Sequence, residues 1–290
     1  PHFLRTSPEL HMKRALAAGY DRIFQIAPSF RAGEIGTRHL EEFTLLEWYR
    51  TQTDYHGILE ETTQLIQTCV QTLNGSTTST FQNIEMDWAG DWEILTVNEA
   101  FEKYAEKSVD EAIKEELYET LLVESVEPNL GQGRPTVLID YPKNLAALAR
   151  LKPDPPHLAE RWELYAAGVE LANCYTELTD ADEQRRRFAN SANLRISQNR
   201  PAYPIDPLYM QALEENRFPE CAGIALGFDR LLMLLINEPD IHNVVAFPST
   251  TPPNPSPPDP PASGTATACP AHAPATQATT QNSPSSAGNA

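Results

Sequence analysis

Cysteine is scarce in this sequence: four in 290 residues, at Cys69, Cys174, Cys221 and Cys269, with no CxxC pair. That scatter speaks against a disulfide framework, and free thiols in a reducing compartment are the expectation. Long apolar runs are missing too. The most apolar stretch, residues 222 to 236, is interrupted by Asp229 and Arg230 and is too short to cross a bilayer, and no secretory-type run opens the chain. The expectation is a cytoplasmic protein without a membrane span. Cations are also in short supply, since 22 Lys and Arg face 40 Asp and Glu, for a net charge of −18. A general nucleic-acid-binding surface is disfavoured, because such surfaces gain affinity by neutralising phosphates. A local basic site stays compatible with that balance. The sequence starts at Pro1 rather than Met and reaches motif-like residues by Ser7, so it reads as a fragment lacking its N-terminus.

What is present is a core-building composition, 41% apolar and 8% aromatic, enough for one large domain or two small ones. The pattern changes at Phe247. Residues 248 to 290 hold 11 of the 25 prolines, mixed with Ser, Thr, Ala and Asn, and one charged residue, Asp259. This segment reads as a disordered tail, and no function is assigned to it. Residues 1 to 247 form the folded part. There, residues 45 to 49 read as a strand, and Asp54 caps a helix whose apolar positions Ile58, Leu59, Leu65, Ile66, Cys69, Val70 and Leu73 follow helical spacing. A polar spacer over 74 to 82 follows, then helices over 97 to 105 and 110 to 123, and a strand over 136 to 140 that ends at Pro142. Further on, residues 162 to 172 look extended, 182 to 192 and 207 to 216 helical, and 223 to 226 a strand entering a helix over 228 to 236. Strands and helices mix without a βαβ repeat, which predicts an α+β fold with an antiparallel sheet.

Three polar constellations interrupt this pattern. The first runs Phe30-Arg31-Ala32-Gly33-Glu34, through a loop with Gly36 and His39, into Glu42-Phe43-Thr44-Leu45-Leu46-Glu47-Trp48-Tyr49-Arg50. An Arg at a strand end and an aromatic on the returning strand suit a nucleotide, with guanidinium on phosphate and ring on base. An ordinary charged hairpin is the competing reading. The second is Gly168-Val169-Glu170-Leu171-Ala172-Asn173, then Thr176-Glu177-Leu178-Thr179-Asp180. Two carboxylates in an apolar extended segment are costly unless cations neutralise them, which makes Glu170 and Glu177 candidates for Mg²⁺ held with ATP phosphates. A structural salt bridge, for example to Arg161, is the alternative. The third is Gly223-Ile224-Ala225-Leu226-Gly227-Phe228-Asp229-Arg230, a glycine-punctuated strand entering a helix with an Arg in its first turn. Glycines permit close backbone approach, and an Arg near a helix N-terminus adds to a field that attracts phosphate. It is not a Rossmann fingerprint.

Taken in order, the three segments resemble motif 2, the acidic segment between motifs, and motif 3 of class II aminoacyl-tRNA synthetases. More narrowly, TSPELHMKR from Thr6, FRAGE, EFTLLEWYR, GVELANCYTELTD and GIALGFDR resemble the lysyl-tRNA-synthetase-like elongation factor P lysine ligases, over residues 1 to about 247. The resemblance implies a class II catalytic fold, an antiparallel sheet flanked by helices, with the motif 1 region missing before Pro1. It implies ATP and Mg²⁺, lysine or (R)-β-lysine as substrate, elongation factor P rather than tRNA as acceptor, and a homodimer in the full-length member. By the same likeness Arg31 contacts the α-phosphate and Arg230 the γ-phosphate, these two being the catalytic pair. Phe43 stacks on adenine. His39, Leu40, Ala32, Gly33 and Glu34 line the nucleotide, with the adenine amine read either by Glu34 or by the Gly33 backbone. The backbone at Leu171 and Gly227 lies against the nucleotide, and Glu170 and Glu177 bind Mg²⁺ or face the substrate. Glu9, in the substrate-binding Ser7-Pro8-Glu9 loop, receives the amino group near the carboxylate, Glu47 and Tyr49 the distal ammonium, and Asn173 helps orient the carboxylate. Ala225 stands where lysyl-tRNA synthetases have glycine, and its methyl would fill space beside an α-amino group and favour a β-amino acid. A lysyl-tRNA synthetase fragment and a non-catalytic nucleotide-binding paralogue are the rival readings.

Overall fold

The chain is described here from a computed structural model, which covers residues 4 to 248. Apart from Pro248, the tail expected from residue 248 onward lies outside the described residues, as does Cys269. Cys69, Cys174 and Cys221 are free thiols.

The first hairpin forms as the sequence suggests. Strand β1 (Arg22–Phe30) pairs antiparallel with β2 (Glu42–Thr51), closing on Phe30 opposite Glu42. Helix α2 (Tyr55–Asn74) follows. The Asp54 side chain accepts the N–H groups of His56 and Gly57 at its start, and Gly75, with φ 67°, turns the chain out at its end. Ile58, Ile66 and Val70 lie fully buried along one side of it.

Where the sequence shows a polar spacer, the structure has a small hairpin, β3 (Thr78–Phe81) with β4 (Ile84–Asp87). Its turn places Gln82 and Asn83 at positive φ, and its inward residues Phe81 and Met86 are buried, so the alternation was present but short. β5 (Glu93–Thr96) then runs into α3 (Val97–Ala105), whose Thr96 and Glu99 form a reciprocal capping box. The helix expected over 110 to 123 is broken. α4 (Val109–Lys114) stops, Glu116 adopts φ 58°, and a short α5 (Tyr118–Leu121) passes into a wider π-type turn, Leu122–Val126. A left-handed residue cannot continue a helix, which accounts for the break.

β6 (Thr136–Pro142) is as expected. The extended segment over 162 to 172 is in fact two strands, β7 (Leu158–Ala166) and β8 (Val169–Thr176), joined by Ala167 and Gly168 at φ 50° and 70°. Positive φ at both central residues makes a tight hairpin, and Ala-Gly lacks the Asn or Asp that would have announced it. α6 (Ala181–Ser197) is longer than expected, and α7 (Pro207–Glu214), β9 (Cys221–Gly227) and α8 (Phe228–Leu235) follow the reading.

Seven strands form one sheet in the order β1-β2-β9-β8-β7-β6-β5, antiparallel throughout except for β5 beside β6. Strand alternation then divides the side chains between two faces. On one face Trp162, Leu164, Cys174, Ile224 and Leu226 pack with α2, α8 and the small hairpin. The opposite face is covered at one end by α1 (Glu9–Ala17) and α7, through Leu10, Leu16, Tyr49, Tyr209 and Leu213. At the other end α3 to α5 cover it, through Phe101, Tyr118, Leu138 and Tyr165. Between those two covers the face carries Glu47, Asn173 and Glu163, in register through Ala225 across β2, β9, β8 and β7, with Arg161 two residues along β7 opposite Tyr175. An apolar sheet face interrupted by charge in its middle is where function is to be sought.

Candidate active site

The floor of this polar region is β9. Its residues Gly223, Ala225 and Gly227 point to the same face, opposite Tyr49, Glu47 and Leu45 on β2, with Tyr175 and Asn173 opposite the first two on β8. Two of the three have no side chain, so the floor is low between its walls. At Gly223 a Cβ would come within 2.2 Å of the Tyr49 ring, so glycine is what lets that ring lie across β9. From Gly223 to Gly227 the strand rises about 13 Å, enough for two different groups to be bound at its two ends.

At the Gly227 end the β1–β2 loop folds over. Arg31 donates its N–H to the Glu41 carbonyl, and Gly33, at φ 83°, donates to the Glu41 carboxylate at 2.6 Å. The Arg31 guanidinium lies 5.0 Å from the Phe43 ring centre and 3.7 Å from Glu34. Arg230, in the first turn of α8, reaches back to the same loop. Its Nε donates to the Arg38 carbonyl, one Nη meets His39 Nε2 at 2.8 Å, and the other bonds the Glu170 carbonyl at 2.9 Å and carboxylate at 3.2 Å. The two guanidiniums and Glu170 therefore share one region, and both arginines act to hold the Glu170 carboxyl down. Desolvation and then the charge of Glu163 act more strongly, and its pKa is raised. Gly227 lies beside Arg230, with 3.6 Å from its Cβ position to the Arg230 side chain. Ala32, Gly33 and Glu34 are exposed in the loop, but the Leu40 side chain is not part of it. Leu40 is only 2% exposed and packs into the main core, so its side chain is withdrawn from the nucleotide set, as an apolar residue following a loop commonly is.

Glu177 requires a larger correction. It follows β8, seven residues beyond Glu170, so about 20 Å of extended chain separates the two, and one Mg²⁺ cannot take both. Glu177 instead meets the buried Lys13 at 2.6 Å. The residue that does stand near Glu170 is Glu163, on β7 across the tight hairpin, whose charge is the main neighbouring influence raising Glu170. Arg161, named from sequence as a partner for the acids, pairs with Glu163 at 2.5 Å, while its Nε contacts Asn173. Glu127 joins them. Burial, then Glu170 and Glu163, push it up to about 8. Glu170 and Glu127 are thus raised beside like charge, which a divalent ion would relieve, and Glu163, already bonded by Arg161 and by the Tyr141 and Tyr165 hydroxyls, is the second carboxylate next to Glu170. Among the described residues no group of three or more His, Cys, Asp or Glu side chains is arranged to hold a metal alone. Mg²⁺ itself needs only one or two carboxylates when phosphates and water complete its shell.

At the Gly223 end lies a second, closed set. Pro8 caps α1, so Glu9 opens a helix rather than sitting in the loop expected for it, a usual place for an acid after proline. Ser7 Oγ accepts the Glu9 N–H and donates to Glu47 Oε2 at 3.1 Å, and the Tyr49 hydroxyl donates to Glu47 Oε1 at 2.6 Å. Glu47 and Glu177 are each 1% exposed and Lys13 is fully buried. Burial, then the charge of Glu9, push Glu47 up to about 8, against the two hydroxyl donors. Burial and Glu9 likewise push Glu177 up to about 7, against Lys13. Ala225 sits between the two ends, opposite both Glu47 and Asn173.

Arg31, His39, Glu170, Gly227 and Arg230 thus gather at one end of β9 and Ser7, Glu9, Tyr49 and Glu177 towards the other, with Glu47 level with Ala225 between them, while the Leu40 and Leu171 side chains are buried in the main core. The reading missed Lys13, Glu163, Glu127 and the role of Arg161. Lys13 had a visible signal, its four-residue spacing from Glu9 on a helix; Glu163 had none, because its partner lies across a hairpin that was read as one strand. Two open surface hollows of about 310 and 330 Å³ lie away from the cleft, one beside α1 and β1 and one on α2.

The comparisons agree with this geometry. The sequence pattern of the class II tRNA synthetases (D, K and N) matches residues 1 to 251. The elongation factor P (R)-β-lysine ligase of Pectobacterium carotovorum is 40% identical over 256 residues, covering 84% of this chain and 77% of the relative. That of Histophilus somni is 41% identical over 251 residues, covering 84% and 76%. That of Haemophilus ducreyi is 41% identical over 248 residues, covering 84% and 75%. With arginines from both halves of the fold meeting over one glycine-floored strand, and with these likenesses, the chain belongs to the class II tRNA synthetase family, among the ATP-dependent ligases related to elongation factor P (R)-β-lysine ligase.

Proposed function

We propose that this chain activates (R)-β-lysine, or lysine, as its adenylate and passes the acyl group to a lysine of elongation factor P. The observation that carries the reading is the division along β9: Arg31, Arg230 and Glu170 gather at the Gly227 end, Glu9 and Glu177 are buried towards the Gly223 end, and Glu47 is level with Ala225 between them. A triphosphate suits the first end and a diamine the second.

In the first step a carboxylate oxygen of the amino acid bonds to the α-phosphorus of ATP. The bond to the bridging oxygen breaks, and pyrophosphate leaves. Arg31 holds the α-phosphate in line, and Arg230 exchanges its contacts with Glu170 and His39 for the terminal phosphate. Phe43 offers its ring to adenine. Glu163 and Glu170 would hold Mg²⁺, whose chemistry there would be countercharge to the phosphates. In the second step the acceptor ε-amine attacks the acyl carbon, AMP leaves, and the amine gives up a proton. Positioning and charge compensation do this work, and no covalent intermediate on the protein is required.

Glu9, Glu47 with Tyr49, and Glu177 receive the two ammonium groups, and Asn173 steadies the carboxylate. The Ala225 methyl, opposite Asn173 and Glu47, occupies the centre of the cleft where an α-amino group would lie, which favours the β-isomer. The chain's net charge of −18 favours a protein acceptor over tRNA. The test is pyrophosphate exchange into ATP with each lysine isomer, followed by transfer to elongation factor P and to tRNA in parallel. Exchange with (R)-β-lysine and transfer to the protein are expected. Exchange with neither isomer would remove the reading, and transfer to tRNA alone would replace it with the synthetase reading.

A further inference from the structure

Lys13 belongs to the amino-acid end and has no part in the scheme above. It stands on α1, four residues after Glu9, and its side chain is wholly buried. Its ammonium lies 2.7 Å from Glu9 Oε1, 2.6 Å from Glu177 Oε2, and 5.9 Å from the centre of the Tyr209 ring on α7. Burying an ammonium is costly unless it is paired. Burial would lower its pKa, but Glu177 and then Glu9 overcome that and raise it, so it stays charged.

The charges around it do not balance. Three buried acids, Glu9, Glu47 and Glu177, face a single lysine, and Glu177 Oε1 is buried with no hydrogen-bond donor. With all acids ionised the set carries two net negative charges, and a diamino acid brings two ammonium groups. Lys13 holds each acid by one oxygen, Glu9 by Oε1 and Glu177 by Oε2.

We propose that Lys13 is a positioning residue for substrate selection: it clamps Glu9 to Glu177 and cancels one of three carboxylate charges, leaving the pocket matched to two ammonium groups. This rests on the pocket reading given under the proposed function. Without Lys13 the pocket has three negative charges for two ammoniums, and Glu9 and Glu177 repel or one takes up a proton. Either way the geometry for one ammonium is lost.

The experiment is pyrophosphate exchange by the full chain with lysine, (R)-β-lysine, norleucine and 6-aminohexanoate, the last two each lacking one ammonium. In Lys13→Met, KM for the diamino acids should rise about 30-fold or more, KM for ATP should stay within about twofold, and the preference for lysine over norleucine should shrink. Lys13→Met with Glu177→Gln restores two net negative charges and should recover about tenfold of that loss, a rescue that a core-filling role would not give. If the single variant does not fold, the double variant still decides, since its KM for lysine should lie within about tenfold of the parent's. A folded Lys13→Met with parental KM and parental discrimination would overturn the role of Lys13 alone, as would a double variant worse than the single. A parent that neither binds nor activates any diamino acid would sink the pocket reading, and this proposal with it.

Discussion

Gly223→Ala is the sharpest steric probe of the cleft. The new Cβ would sit 2.2 Å from two carbons of the Tyr49 ring and 3.0 Å from a third. Ordinary carbon contacts lie at 3.5 to 4.0 Å, so the ring must move by about 1.4 Å. It has little room, being 4% exposed and packed among Leu10, Tyr209 and Leu213. Overpacking of this kind costs about 1–3 kcal/mol. The ring's hydroxyl also donates to Glu47 at 2.6 Å, and a shift of that size breaks this buried hydrogen bond, for about another 1 kcal/mol. Urea unfolding should therefore show a loss of about 2–4 kcal/mol, and KM for the amino acid should rise about tenfold or more while KM for ATP holds. Gly227→Ala is the control. Its Cβ meets nothing closer than 3.6 Å, so its stability should stay within about 0.5 kcal/mol of the parent. If Gly223→Ala were as stable as that control and bound the amino acid as before, Tyr49 would not lie across β9, and the description of the amino-acid end would be wrong.

Arg31→Ala should lower adenylate formation about 100-fold or more with a nearly unchanged melting temperature, since its side chain is 36% exposed and lies against Phe43 and Glu34 at the surface; parental exchange would remove its role. Glu163→Gln should raise the Mg²⁺ concentration needed for half-maximal exchange and spare KM for the amino acid, and an unchanged Mg²⁺ dependence would free Glu163 of that task. Stability should fall as pH rises from about 5 to 8. The sign follows from Glu47 and Glu177, raised from 4.5 to about 8 and about 7: in that window the folded chain holds protons that the unfolded chain has released. Urea midpoints at pH 5.5 and 8 check this, Glu47→Gln should flatten the trend, and a rising trend in the parent would contradict it. Amino-acid binding should have the opposite sign, tightening across the same window as the acids ionise.

The parts of the fold legible in the sequence were those with a local signature. Asp54 and Gly75 bracket α2 by capping chemistry, and β9 with α8 is punctuated by glycine and amphipathic spacing. The parts that escaped depend on backbone states that residue types only weakly announce. Ala167 and Glu116 both adopt positive φ without being glycine, and one turned a long extended segment into a hairpin while the other cut a helix in two. The β3–β4 hairpin is four residues a side, too short for alternation to outweigh its polar composition.

The misread hairpin had a consequence for the chemistry. With residues 162 to 172 taken as one extended segment, Glu163 and Glu177 stood equally far from Glu170, seven residues on either side, and the shared Mg²⁺ was given to Glu170 and Glu177. Folding the segment at Ala167 and Gly168 puts Glu163 beside Glu170 and leaves Glu177 at the far end of the strand, against Lys13. The carboxylates then divide by neighbour. Those near Arg31 and Arg230 face groups that offer room for a cation carried in with phosphate, while those near Lys13 are sealed with a lysine and two hydroxyls. On the proposed reading one strand serves two kinds of countercharge, and the distance between its ends, set by strand rise, would keep acids that hold a metal from competing for the substrate's ammonium groups.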